Sequence, residues 1–169
     1  KLRDQWKNRW ILKDRHWEIH TTTDFETAVS TLNLLEAEYR AFERIYGNHF
    51  NVFKFGDSRM KLNLFSNRKQ FVSITKKEGG QPGLLSNPAV LGLYIERRKS
   101  SYVLTLKDPD KFRQLLLHEC GHQLADRYLR IPDKKLGRYH GWLSEGDAVY
   151  WENYILTNED LVLAATYSR

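Results

Sequence analysis

The chain has 169 residues, 41% of them hydrophobic and 13% aromatic, which suits one folded domain with a sizeable core and excludes a disordered polymer. Lysine and arginine outnumber aspartate and glutamate 27 to 21, a net charge of +6 that permits an anionic partner without selecting one. No apolar run is long enough to span a membrane, and a single cysteine, Cys120, rules out an internal disulfide. The chain opens on Lys1 rather than Met and shows no signal peptide. It is therefore expected to be a piece of a longer protein, whose N-terminus would carry any targeting segment.

Residues 1–15 mix basic side chains with Trp6 and Trp10. Charge and stacking of this kind can serve nucleic acid, but the simpler expectation is a terminal segment whose tryptophans pack on the domain. HWEIHTT, 16–22, alternates and is rich in branched residues, so it reads as a strand. Thr23-Asp24-Phe25-Glu26 fits a capping box. Ala28, Leu32, Leu35, Tyr39, Phe42 and Tyr46 then step by four and three, which predicts a core-facing helix over 24–46 ending at Gly47. Glu36, Glu38, Arg40, Glu43 and Arg44 fall on its expected solvated side. MKLNLF, 60–65, reads as a second strand and 67–74 as a short helix. Residues 76–90 hold three of the ten glycines and two of the four prolines, the composition of a loop that borders a cleft. Leu91–Glu96 and Ser101–Leu106 read as a hairpin about 97–100.

The stretch that carries chemistry is His118-Glu119-Cys120-Gly121-His122, an HExxH pattern in a run that reads as helix from Lys111 to Arg130. Asp108 and Pro109 suit its N-cap and first turn, and Pro132 marks its end. Side chains at i and i+4 share one helix face, so His118 and His122 can offer two imidazoles to one ion, most commonly zinc. Glu119 sits one position round, where it can act as general base without ligating. With 6 His and 11 Glu in the chain, about 0.01 such matches are expected by chance. Cys120 points away from the histidine face and reads as a packing residue. Gly121 costs about 1 kcal/mol in a helix, which suggests that a neighbouring helix approaches closely there.

WLSEGDAVYWE, 142–152, reads as a second helix. Its Glu145 is the natural third ligand, leaving a fourth position for water as in catalytic zinc sites. Glu152, two turns on, is a candidate partner for the free N–H of a ligating histidine. Asp126 is a weaker one, equally explained by a helix salt bridge to Arg130. His16, His20 and His49 read as ordinary polar or partly buried residues.

HECGH followed by WLSEGDAVYWE resembles the gluzincins, zinc metallopeptidases with an HExxH helix and a glutamate ligand on the next helix. Within that group it resembles uncharacterised bacterial peptidase-MA-like domains with a WLxEGxAxxxE segment, a likeness that extends to HWEIHTT and LLEAEYRAFERIYG. The resemblance implies His118, His122 and Glu145 as ligands of Zn2+, Glu119 as the base, a peptide or protein substrate, and an extracytoplasmic or secreted location. Asp147 departs from the pattern, where a larger apolar residue is common. Tyr139, His140, Tyr150 and Tyr154 are candidates for a transition-state donor.

The expected fold is α+β and zincin-like, one peptidase-MA-like domain over 1–169. A small, mostly antiparallel sheet would lie beside the long N-terminal helix, with the HExxH helix followed by the glutamate-ligand helix. The expected function is zinc-dependent hydrolysis of an amide bond. Two alternatives are a zinc-binding but catalytically silent interaction domain and a basic module for nucleic acid or envelope polymer. An intact Glu119 weighs against the first and the three-ligand spacing against the second, so a nucleic-acid partner is not expected.

Overall fold

The computed structural model describes residues 5–50, 58–129, 140–157 and 160–163. Five strands form the main sheet: β1 (Trp10–Lys13), β2 (Trp17–Thr21), β3 (Met60–Phe65), β4 (Gly92–Ile95) and β5 (Ser100–Leu104), in the order β1-β2-β3-β5-β4. The helices are α1 (Phe25–Phe50), α2 (Arg68–Glu78), α3 (Pro82–Ser86), α4 (Pro109–Leu124) and α5 (His140–Glu152). A π-helical turn, Ala125–Leu129, continues α4, and a hairpin of β6 (Tyr154–Thr157) and β7 (Asp160–Leu163) follows α5. None of the described helices is long and apolar enough to cross a membrane.

The fold is α+β, but the sheet is mixed rather than mostly antiparallel. β1 with β2 and β4 with β5 are antiparallel, whereas β2 with β3 and β3 with β5 are parallel. The reason is connection length. Parallel neighbours need a crossover to bring the chain back to the starting end; the 26-residue α1 does this between β2 and β3, and the segment from α2 through β4 does it between β3 and β5.

Alternation sorts the strands into two faces. Trp17, Ile19, Met60, Leu62, Leu64 and Val103 turn toward α1, α4 and α5, where Leu35, Phe42, Leu117, Cys120, Leu124 and Trp151 complete the main core. Phe65, Tyr102 and Leu104 turn the other way, against Phe71 of α2 and Leu85 of α3. The N-terminal tryptophans pack on the domain body. Trp6 stacks on Phe65 at 4.6 Å, and Trp10 meets Phe25 at 5.6 Å from within β1, a strand not expected from the sequence.

Several local expectations are corrected. Asp24, not Thr23, caps α1, its carboxylate accepting from the Thr27 amide at 2.7 Å and the Thr27 hydroxyl at 2.8 Å. Gly47 does not end this helix, which runs on to Phe50. Glu36 and Glu38 are buried rather than solvated, because α1 packs on β2, α4 and β7 and so has more than one covered side. Glu36 uses its burial, accepting from the amides of His16 and Trp17 and pairing with the His16 ring at 2.6 Å. The 76–90 segment is less irregular than expected, since α2 extends to Glu78 and α3 follows.

Candidate metal centre

The site is built where α4 passes α5. Asp108 starts α4 as expected, its carboxylate accepting from the amides of Asp110 and Lys111 at 3.0 and 3.1 Å. One turn of helix then brings His118 and His122 together, Nε2 to Nε2 at 3.2 Å with the rings nearly perpendicular. Gly121 lets α5 come close, for a Cβ there would stand 3.1 Å from Trp151 Cδ1. The expected close helix approach is thus present, and it carries Glu145 over the histidines.

Glu145 Oε2 lies 3.5 Å from His118 Nε2 and its Oε1 3.6 Å from His122 Nε2. One ligand atom from each of the three residues lies within 4.8 Å of the others, the one grouping among the described residues that could hold a metal ion. The outer ring nitrogens are engaged as well. His118 Nδ1 donates to Glu152 Oε1 at 2.7 Å, and His122 Nδ1 lies 3.0 Å from Ser144 Oγ. A proton on Nδ1 leaves the Nε2 lone pair free to bind a cation. Burial and the neighbouring His118 hold the His122 imidazole below its ordinary value, so the neutral, ligating form is favoured.

Glu119 is buried beside this group. Gly92 of β4 lies against it so closely that a Cβ at Gly92 would stand 2.5 Å from Glu119 Cγ. Burial first, then the charge of Glu145, pushes the Glu119 carboxyl up to about 8, opposed by the Tyr94 backbone amide that donates to it. Ser101 Oγ, 2.9 Å from the Glu119 carbonyl and 3.0 Å from Gln123 Oε1, ties this turn of α4 to the sheet. Cys120 is fully buried and its thiol is pushed well up by that burial, as fits a packing residue.

No family model matches the chain, and no curated protein sequence matches it either. The site must speak through its own geometry.

That geometry brings together the residues singled out in the sequence (His118, Glu119, His122, Glu145 and Glu152) around a cleft of about 1050 Å³. Asp126 does not join the histidines; its carboxylate takes the Tyr94 hydroxyl and, at 2.7 Å, Lys99 Nζ. Its suggested partner Arg130 lies outside the described residues, as does Tyr139. The hydroxyls of Tyr150 and Tyr154 pair with each other at 2.7 Å, and neither residue lines the cleft. The cleft tyrosines are instead Tyr46, bonded to Asp147 at 2.6 Å, and Tyr94. His16 pairs with Glu36 and His20 with Glu18 and Arg9, so both are the ordinary polar residues expected. Ser144, Gly92 and Tyr94 went unnoticed in the sequence. Only Ser144 carried a signal, as the neighbour of Glu145.

Proposed function

We propose that the chain is a zinc-dependent hydrolase of zincin type, a gluzincin-like peptidase acting on an amide bond. The observation that carries this reading is the grouping of the donors: the two Nε2 atoms lie 3.2 Å apart, one Glu145 oxygen is 3.5 Å from His118 Nε2 and the other 3.6 Å from His122 Nε2. A tetrahedral zinc with bonds of 2.0–2.1 Å needs ligand atoms about 3.3 Å apart. His118, His122 and Glu145 would hold the ion, with Glu152 and Ser144 fixing the imidazoles. Zinc, when bound, supplies a Lewis acid that activates water and polarises an amide carbonyl.

The remaining steps fall to the chain's own residues. Glu119 takes the proton from the attacking water and returns it to the leaving amine. Its place suits this role, since it lines the same cleft as His118, His122 and Glu145 and packs against Gly92 of the edge strand. β4 is the outermost strand of its sheet. The Leu104 amide donates to the Leu91 carbonyl at 2.9 Å, so by alternation the Gly92 backbone groups and the Tyr94 carbonyl face the open edge, where a peptide backbone can pair. Toward the start of α4 the cleft is lined by Leu84, Val90, Leu91, Leu106 and Leu115, which suits an apolar side chain next to the cleaved bond.

The test is a quenched-peptide library with zinc-loaded protein and a Glu119→Gln control. The reading predicts cleavage that falls about 100-fold or more in the variant, with zinc content unchanged. Zinc-loaded protein that cleaves no peptide, or a variant as active as the wild type, would refute it.

A further inference from the structure

The hairpin of β4 and β5 reaches α4 through more bonds than sheet packing needs. Lys99, at its turn, has φ 47 and ψ 46, a left-handed conformation uncommon for a side-chain-bearing residue. Such backbone persists when its surroundings over-determine it, and here α4 grips Lys99 at both ends. Gln123 Nε2 donates to the Lys99 carbonyl at 2.8 Å, while Lys99 Nζ donates to Asp126 at 2.7 Å. The same Asp126 carboxylate accepts the hydroxyl of Tyr94, which stands on the cleft face of β4 two residues from Gly92.

Asp126 therefore joins two points of the hairpin, its turn and its outer strand, to the π-helical turn that continues the histidine helix. The open edge runs from Gly92 to Tyr94, the second of these points, and Glu119 lies against it in contact with Gly92. We infer that Asp126 is a positioning residue: it clamps β4 at a set height above α4 and so fixes the width of the cleft in which a substrate backbone pairs with the edge strand. The inference rests on the hydrolase reading for the word substrate, but the clamp itself is a property of the hairpin. Asp126 touches neither the histidines nor Glu145 in the bonds it makes, and its loss would leave the ligand set intact. Without it β4 would remain paired to β5 but be held over α4 only by the Tyr94 amide on Glu119 and the Gln123 bond at the turn, so the edge would loosen and binding would weaken more than the chemistry of bound substrate.

Hydrogen exchange of the zinc-treated protein, followed peptide by peptide, tests this alongside steady-state kinetics on the best-cleaved library peptide. For Asp126→Ala, exchange in 92–95 should quicken about tenfold or more while α1 stays at its wild-type rate and metal content is unchanged. KM should rise about tenfold with kcat within about twofold. Asp126→Asn, which keeps an acceptor for Tyr94 but loses the Lys99 ion pair, should fall between the two, and Tyr94→Phe should quicken 92–95 without loosening the turn. Unchanged exchange in 92–95 of Asp126→Ala would overturn the inference. So would equal quickening in α1, which would mark general destabilisation, or a fall in kcat at constant KM. If the wild type neither holds zinc nor cleaves peptide, the hydrolase reading fails, and the exchange pattern still decides the clamp.

Discussion

A methyl group at Gly92 would meet Glu119 Cγ at 2.5 Å and Oε1 at 2.7 Å, distances no real side chain tolerates. Strand and carboxylate would have to part. On the proposed reading Gly92→Ala should therefore bind zinc as the wild type does, since His118, His122 and Glu145 lie elsewhere, and lose about 100-fold in kcat/KM, the order of cost for a displaced catalytic group. Undiminished hydrolysis would mean that Glu119 does not work from this position. Glu152 acts on the other side of the site, holding His118 by its Nδ1 at 2.7 Å. Partners of this kind typically contribute 10- to 100-fold to metal affinity. Chelator competition on Glu152→Ala should show a loss of that order, with Ser144→Ala at the smaller end because a hydroxyl is the weaker partner. Zinc affinity unchanged in Glu152→Ala would show that the bond does not orient the ring.

At the scale of elements the site depends on how closely α5 lies on α4. Gly121 and Trp151 set that distance, with 3.1 Å between the position of an added Cβ and the indole Cδ1. Alanine there regains about 1 kcal/mol of helix propensity against a tight contact. A branched side chain has no such balance. Gly121→Val should cost about 1–3 kcal/mol, as overpacked cores do, and should weaken zinc binding because Glu145 travels with α5. Urea unfolding and chelator competition would report the two effects separately; loss of stability with full zinc affinity would show that Glu145 reaches the histidines without this packing. The helices themselves were readable in the sequence because their signals are local. Asp108-Pro109 begins α4, i to i+4 spacing pairs the histidines, and the gap from His122 to Glu145 leaves room for a turn between helices. The sheet was less readable. Which strands pair, and in which direction, depends on crossovers tens of residues long that leave no local mark, so two parallel pairings were missed. Gly92 was invisible for the same reason: its importance comes from a residue 27 positions away.

Across the whole molecule the most exposed misreading concerns Glu38. A stripe of residues at steps of three and four identifies one buried helix side, and Glu38 falls outside that stripe on a helix that other elements also cover. It is fully buried, and neither carboxyl oxygen has a hydrogen-bond partner among the described residues. Burial first, then the nearby Asp147, raises its proton affinity well above the ordinary carboxylate range. Below about pH 4.5 folded and unfolded chains both hold this proton, and Glu38 adds no pH-dependent cost. As pH rises the unfolded chain releases it while the folded chain retains it, so stability falls by about 1.4 kcal/mol per pH unit until the folded value is reached. Glu38→Gln cannot ionise and should lose that slope. Its advantage over the wild type in urea midpoint should grow as pH rises from about 5; a constant difference would show that Glu38 does not titrate this way. The central claim, that the crossing of α4 and α5 is a zinc site, is tested most directly by metal content. Mass spectrometry of the wild type after zinc addition and dialysis should find about one zinc per chain, and His118→Ala and Glu145→Ala should each lose it. A wild type that retains no zinc, or variants that retain it fully, would contradict the account.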